Sequence, residues 1–247
     1  MAISVDRVYQ TVLALANKEQ RGYITPQEFN LFATHAQNSI FEQYFYDLNQ
    51  FRRIPGNNTA TADPRDITEE KIALFRMWVS EANTAVLANG DVNTANLVPE
   101  LYRIEEVGVH YKSQGVYNTA EELSGRELSL RGESKLAKWS KRRPVFIKHG
   151  VTSNRIKVFP YPDPANDKVK IDYIRKPNAP RWTYIIVNDQ ALWNPTAVDK
   201  RDFELHASEE KNLVIQILKL AGVSMKDYNV AQLATQEEVK SIQQEKS

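Results

Sequence analysis

Apolar residues recur at helical spacing from the start of the chain. Val5, Val8, Tyr9, Val12, Leu13 and Ala16 share one face of a helix predicted over about Val5 to Asn17. Gly22 closes that pattern, and a second helix start follows at once. Thr25 can N-cap, Pro26 occupies the first helical position and Glu28 completes a capping box. Ile24 and Phe29 are spaced to close a hydrophobic staple across the cap. The helix so begun is predicted to run to about Leu48. Phe29, Phe32, Ala36, Ile40, Tyr44 and Leu48 make one stripe, while Leu31, Phe41 and Phe45 point elsewhere. Apolar surface that wide must be covered on more than one side, by the domain's own core or by a neighbouring subunit.

The segment from Pro55 to Pro64 is rich in turn formers and reads as a loop, longer than most internal connections. Such a loop is either disordered in the free subunit or packed against something outside it. Thr68 to about Ser80 fits a short helix or a strand equally well. From Leu97 the period becomes strand-like. Strands are predicted at Leu101 to Tyr111, Val145 to Ile147, Arg155 to Phe159, Lys168 to Arg175 and Trp182 to Val187, with a short helix or helical turn over Thr119 to Arg131. Strict alternation in Lys168-Val169-Lys170-Ile171-Asp172-Tyr173 gives one buried and one wet face, the mark of an antiparallel sheet. Asn188-Asp189 suits a tight turn into Ala191-Leu192-Trp193. Ser208 is the expected cap of a helix carrying Leu213, Val214, Ile217, Leu218 and Ala221 and stopped by Gly222. Thr235 to Glu238 forms another capping box. The fold class is therefore α+β. The N- and C-terminal helices are expected to pack as a bundle, with a small antiparallel β-rich region inserted between them. The divisions fall at 1–96, 97–204 and 205–247.

A chain of 247 residues with 42% hydrophobic and 26% charged residues can bury a real core. Its net charge of +1 gives no global pull toward nucleic acid or membrane. There is no cysteine, so neither disulfides nor thiolate metal sites arise. The first residues lack the basic and apolar regions of a signal peptide, and no apolar run nears the roughly 18 residues of a membrane span. Synthesis in the cytoplasm is expected, and no membrane partner.

Catalytic signatures are missing from the sequence. His35, His110, His149 and His206 lie far apart, and no HExxH, P-loop, GxGxxG or Gly-x-Ser-x-Gly is present. Asn89-Gly90-Asp91-Val92-Asn93 lacks the later glutamate of a calcium loop and reads as a turn. Glu105 and Glu106 are adjacent, so on a strand they face opposite sides. The expectation is a non-enzyme without cofactor or metal. One charge feature stands out: Lys135, Lys138, Lys141, Arg142, Arg143 and Lys148, with no acidic residue between Ser134 and Pro162. Such a run can contact DNA phosphates, form a solvated face, or pair with an acidic patch on another subunit. Trp139 lies where it could stack on bases, whereas Phe146 belongs in a strand core.

The order of motifs along the chain adds a resemblance. Arg142-Arg143-Pro144-Val145-Phe146, then Arg155-Ile156-Lys157-Val158-Phe159-Pro160, then Val169 to Pro177 resemble the hairpin and Tyr-x-Arg-x-Pro strand of phage head–tail connector proteins of the tail-tubular or gatekeeper kind. Trp193 to Ala197 and Phe203 to Glu210, together with Asn17 to Asn30, are similar to virion structural proteins of crAss-like and related short-tailed phages. The resemblance spans most of the chain and is weakest over Pro55 to Asn96. It implies a ring of identical copies, dodecameric, stacked under the portal beside other tail and connector proteins. Double-stranded DNA would pass through its channel, and the protein would reside in the virion. In such a ring Phe41, Tyr44 and Phe45 are candidate subunit-interface residues, because aromatics at an interface centre carry disproportionate energy. The cations from Lys135 to Lys148 would then meet the DNA or an acidic face of the next copy.

Overall fold

The structure, a computed structural model, describes residues 3–18, 24–53, 59–79, 85–86, 89–94, 100–149, 155–188 and 190–224. The chain is mixed α and β, with five helices and mainly antiparallel sheets among those residues. It divides into two compact units: residues 1–74 with 177–247, and residues 75–176. The β-rich unit thus begins earlier and ends earlier than the expected 97–204. Its first strand pairs with a partner near its far end, and sequence periodicity cannot show that.

In the first unit, α1 (Val5–Lys18) and α2 (Pro26–Arg53) follow the expected pattern. The Thr25 capping box is formed: the Glu28 carboxylate accepts from the Thr25 backbone N–H at 3.0 Å, and the Thr25 hydroxyl accepts from the Glu28 N–H at 3.3 Å. The Thr25 hydroxyl also donates to that carboxylate at 2.8 Å, and with the Thr25 N–H it holds the Glu28 carboxyl below its ordinary range. Ile24 and Phe29 are both buried, as a staple requires. The buried face of α2 is wider than the expected stripe and comprises Phe29, Ala33, Ala36, Gln37, Ile40, Phe41 and Tyr44. Phe41 therefore belongs to the core face and not to a separate one, while Leu31 does point away from it and is exposed.

Part of the expected loop is helix. The third helix, α3 (Thr59–Ala73), starts inside the Pro55 to Pro64 segment, of which residues 55–58 lie outside the described residues. Ala60 and Ala62 favour helix. The ambiguous Thr68 to Ser80 stretch is both of the options: helix to Ala73, then strand from Arg76.

After the β-rich unit the chain returns through two short strands, β10 (Tyr184–Val187) and β11 (Gln190–Trp193), paired antiparallel around a two-residue turn. Asn188 has φ 51°, the left-handed conformation that asparagine tolerates at such turns. The last described helix, α5 (Glu210–Ser224), follows a 3-10 turn over Ala207–Glu209. His206 and not Ser208 caps this turn, its ring accepting from the Ser208 N–H at 3.3 Å. Gly222 does not end the helix, which runs two residues further. The capping box at Thr235 lies outside the described residues. Both α1 and α2 contact α5.

Two amide side chains on α2 bind the returning chain. Asn30 accepts from the Trp182 N–H at 2.8 Å and donates to the Trp182 carbonyl at 3.0 Å. Gln37 donates to the Asn178 carbonyl at 2.8 Å and accepts from the Glu204 N–H at 3.1 Å. Around this seam lies an aromatic core. The buried Trp182 ring sits 4.2 Å from Tyr9 and 5.5 Å from Trp193, and its indole N–H donates to Asp6 at 2.9 Å.

In the second unit, β1 (Arg76–Val79), β9 (Lys168–Arg175), β4 (Leu101–His110) and β5 (Tyr117–Thr119) form one sheet in that order. A second sheet has the order β2 (Ala85–Val86), β3 (Asp91–Asn93), β8 (Arg155–Phe159), β7 (Val145–His149) and β6 (Glu121–Glu122). One core joins them, with Val107, Val109, Val169, Ile171 and Tyr173 from the first and Val92, Phe146, Ile156 and Val158 from the second. Among the described residues only β6 and β7 run parallel. The helix expected over Thr119 to Arg131 starts late: Thr119 and Glu121–Glu122 are strand, and α4 (Gly125–Glu133) begins after a Ser124–Glu127 capping box. Of the Asn89 to Asn93 stretch expected as a turn, only Asn89 and Gly90 turn, and Asp91–Asn93 is strand; Gly90 adopts φ 80° with a Val158 carbonyl 2.8 Å from where a Cβ would lie.

Gln37→Ala would leave two backbone groups without their partners. It should lower the unfolding free energy by about 2–4 kcal/mol, measured by urea denaturation. Unchanged stability would show that the amide does not hold the returning segment.

Candidate functional site

The basic stretch lies on the second unit, between α4 and β7. Ser134 ends α4, and its hydroxyl accepts from the Ala137 N–H at 3.1 Å, starting a tight surface loop. Trp139 anchors that loop. Its ring lies 5.2 Å from Phe159, and it fits against Gly132, where a Cβ would come within 3.1 Å of the indole. Ser140 and Arg143 then exchange two backbone hydrogen bonds, 3.2 and 2.9 Å, which places Lys141 and Arg142 at the tip of a turn. Pro144, Val145 and Phe146 dive into the core, so Phe146 is a core residue as expected.

The six cations divide into two sets. Lys148 pairs with Glu122 at 2.8 Å, and Lys141 donates to the Ser113 hydroxyl at 3.3 Å with its ammonium 5.6 Å from the Tyr111 ring. Lys135, Lys138, Arg142 and Arg143 are exposed and form no ion pair among the described residues. The nearest acids of β6 are already engaged: Glu121 takes a two-pronged contact from Arg131 at 2.7 and 2.8 Å. That hydrogen bonding holds the Glu121 carboxyl below its ordinary range. Leu136, 99% exposed, stands among these cations.

Next to the loop is an aromatic row that the sequence reading passed over. Trp139, Phe159 and Tyr161 follow one another at 5.2 and 5.1 Å, and the Lys157 ammonium lies 6.0 Å from the Phe159 ring and 5.4 Å from the Tyr161 ring. The alternation in β8 did carry the signal, since Lys157 and Phe159 must share a face. Partly exposed rings interleaved with cations can stack bases and hold phosphates.

The three aromatic interface candidates are placed differently. Phe41 and Tyr44 are buried within the unit, and Phe45 is half-buried with its ring 5.1 Å from Phe41. The Tyr44 ring lies 5.6 Å from the ammonium of Lys71, which pairs with buried Glu209 at 2.6 Å. Phe41 and Tyr44 are therefore core residues of one copy and not surface anchors. Exposed apolar residues of the first unit include Leu31, Tyr46 and Ile67 on its helices and Ile185, Ile186, Val187 and Leu192 on the β10–β11 hairpin.

On the outer face of the four-stranded sheet, Lys170 lies across Gly108, where any Cβ would meet the lysine stem. Its ammonium is 5.5 Å from the exposed Trp78 ring and 5.4 Å from Tyr117. Asp172 sits in register with Trp78 and Glu106, and its Oδ1 is buried without a hydrogen-bond partner. Burial pushes its carboxyl up; Lys170 opposes this, and Glu106 and Glu105 reinforce it. Glu105 and Glu106 have separate partners, Arg76 at 3.0 Å and the Thr119 hydroxyl at 2.8 Å.

Among the described residues no three His, Asp or Glu side chains cluster as a metal site, and no helix is long and apolar enough to cross a membrane. A scan against protein-family models gives no match, and no curated protein matches the chain. What the site does must therefore be argued from its own chemistry.

Because the folded-state carboxyl of Asp172 titrates above its unfolded value, the native state holds the extra proton between the two. Stability then falls as pH rises through that window. Asp172→Asn should raise the melting temperature at pH 7, with the gain shrinking as pH is lowered toward 4. Thermal melts across that range provide the check; a constant or negative difference would contradict the burial argument.

Proposed function

We propose that this chain is a structural subunit of a phage head–tail connector, non-enzymatic, assembling as a closed ring around the channel through which double-stranded DNA passes. In this reading the N- and C-terminal helices form one bundle into which the β-rich unit is inserted, and the partners are further copies, the portal and other tail proteins. The virion is its final location. The observation that carries the reading is the set of exposed cations, Lys135, Lys138, Arg142 and Arg143, free of ion pairs among the described residues. Unpaired cations on an exposed loop suit a moving polyanion: they attract phosphates without reading bases, and salt weakens the contact. The order of connector-like motifs along the chain supports the same assignment.

A second reading has its own observation. The Trp139–Phe159–Tyr161 row with Lys157 favours single-stranded nucleic acid, bound by stacking and without any ring. The two differ in what the purified chain does. A connector subunit forms a closed oligomer of fixed copy number, twelve under this proposal, in native mass spectrometry. It should retain duplex DNA at low salt, and Arg142→Glu with Arg143→Glu should weaken that retention by tenfold or more. The same double variant should reduce the salt slope by about 2, roughly 0.9 per lost phosphate contact, and leave the oligomer mass unchanged. A chain that stays monomeric at all concentrations, alone or with portal protein, overturns the connector assignment. Preference for single strands, lost in Tyr161→Ala, would favour the second reading.

A further inference from the structure

Helix α3 has two unlike faces. Thr68 and Ile72 are buried, whereas Asp66, Ile67, Glu70 and Ala73 are exposed and share the other side of the helix at i, i+1, i+4 and i+7. Leu74, seven residues after Ile67, continues that face at the helix end. Ile67 is 53% and Leu74 48% exposed. Glu69 is taken by Arg65 at 3.1 Å and Lys71 by Glu209, but Asp66 and Glu70 have no ion pair or hydrogen bond among the described residues. The outward face of α3 is thus apolar side chains flanked by two unpaired carboxylates.

The basic loop of the second unit has the opposite sign and the same plan. It is built as two turns, separated by the anchored Trp139. In the first, the Lys138 N–H donates to the Ser134 carbonyl at 3.2 Å, and the turn carries Lys135, Leu136 and Lys138. The second, closed by Ser140 and Arg143, carries Lys141 and Arg142. Phosphates suit the second turn. They do not explain the first, because Leu136, 99% exposed between two cations without partners, gains nothing from a phosphate backbone. Its complement is a surface where carboxylates flank apolar side chains, and α3 is such a surface.

The signs also fix the mode of pairing. Across a two-fold axis α3 would face α3, or loop would face loop, and like charges would oppose each other. The loop of one copy set against α3 of another pairs opposite signs and removes Leu136, Ile67 and Leu74 from water together. Two different surfaces are used, so the contact is heterologous, and each copy keeps one of each with which to extend the series.

We propose that the Lys135–Leu136–Lys138 turn docks on the Asp66–Ile67–Glu70–Leu74 face of α3 in the next copy, in head-to-tail order. Arg142 and Arg143 remain for DNA. The docking needs only these two surfaces; its closure into a ring of fixed copy number rests on the connector reading above.

A charge exchange in the full-length chain tests this, with self-association read by sedimentation and native mass spectrometry. Lys135→Glu with Lys138→Glu, and separately Asp66→Lys with Glu70→Lys, should each weaken self-association by about tenfold or more, with circular dichroism unchanged from the parent. An equimolar mixture of the two variants should return association to within about threefold of the parent, because each reversed loop then meets a reversed helix and the other contact keeps its parent signs. The chain bearing all four substitutions should recover in the same way. Leu136→Ser should weaken self-association and leave duplex DNA retention unchanged. Reversals that have no effect, or that weaken association without rescue in the mixture, overturn the docking; two-fold pairing gives the second result. If a ring of fixed copy number survives both reversals, the docking fails and the connector reading stands. If the mixture is rescued but its oligomers have no fixed copy number, the connector reading fails and the docking stands. A parent chain that never self-associates overturns both.

Discussion

Two side-chain amides hold the first unit together across the whole length of the insertion. Asn30 and Gln37 lie two helical turns apart on α2, so both face the returning chain. An amide side chain carries one donor group and one acceptor, the same complement as a peptide unit. Each therefore satisfies backbone groups of a segment that has no strand partner at that point: Trp182 for Asn30, and Asn178 with Glu204 for Gln37. Glu204 in turn accepts from the Asn178 N–H at 2.9 Å and its side-chain amide at 3.0 Å, closing a small polar network. The position of Trp182, and with it the base of the β10–β11 hairpin, follows from these bonds. The partners are more than a hundred residues apart in sequence, so the unit completes only after residues 75–176 have passed, and loop-closure entropy opposes every earlier attempt.

What the sequence made legible was local chemistry. The Thr25–Glu28 box and the alternation of Lys168 to Tyr173 depend on neighbours within a few residues, and both were readable. Phe41 lies outside the Phe29-to-Leu48 stripe yet inside the buried face, which is broader than that stripe and contains a glutamine. Nothing local distinguishes buried Gln37 from a surface one, since its partners are Asn178 and Glu204. His206 and not Ser208 is the cap because the helical turn already starts at Ala207, and an imidazole nitrogen can accept from the Ser208 N–H. The boundary at Phe75 escaped notice because β1 finds its partner in β9. The basic run was legible as charge, but which cations are paired depends on where β6 presents Glu121 and Glu122. The hairpin was the least legible of all. Tyr-Ile-Ile-Val reads as an interior strand, and only the fold shows it bare.

Two kinds of surface are thus segregated between the units. The cations of the second unit act through a field that ions in solution screen within about 10 Å at 0.1 M salt. The apolar hairpin of the first unit acts through exclusion of water, which salt does not weaken. A chain of net charge +1 can carry both without a global field that would tie one to the other. Ionic strength can then alter attraction to a polyanion while burial of apolar surface is left unweakened.

The way the second unit joins the chain has its own consequence. Its entry strand β1 and exit strand β9 are hydrogen-bonded neighbours, with Arg76 beside Ile174 and the Arg175 N–H donating to the Phe75 carbonyl at 2.9 Å. The two ends of the second unit are therefore held side by side by backbone hydrogen bonds. Residues can be added or removed between them while that pairing persists, because the strands that join the unit to the rest of the chain already secure each other.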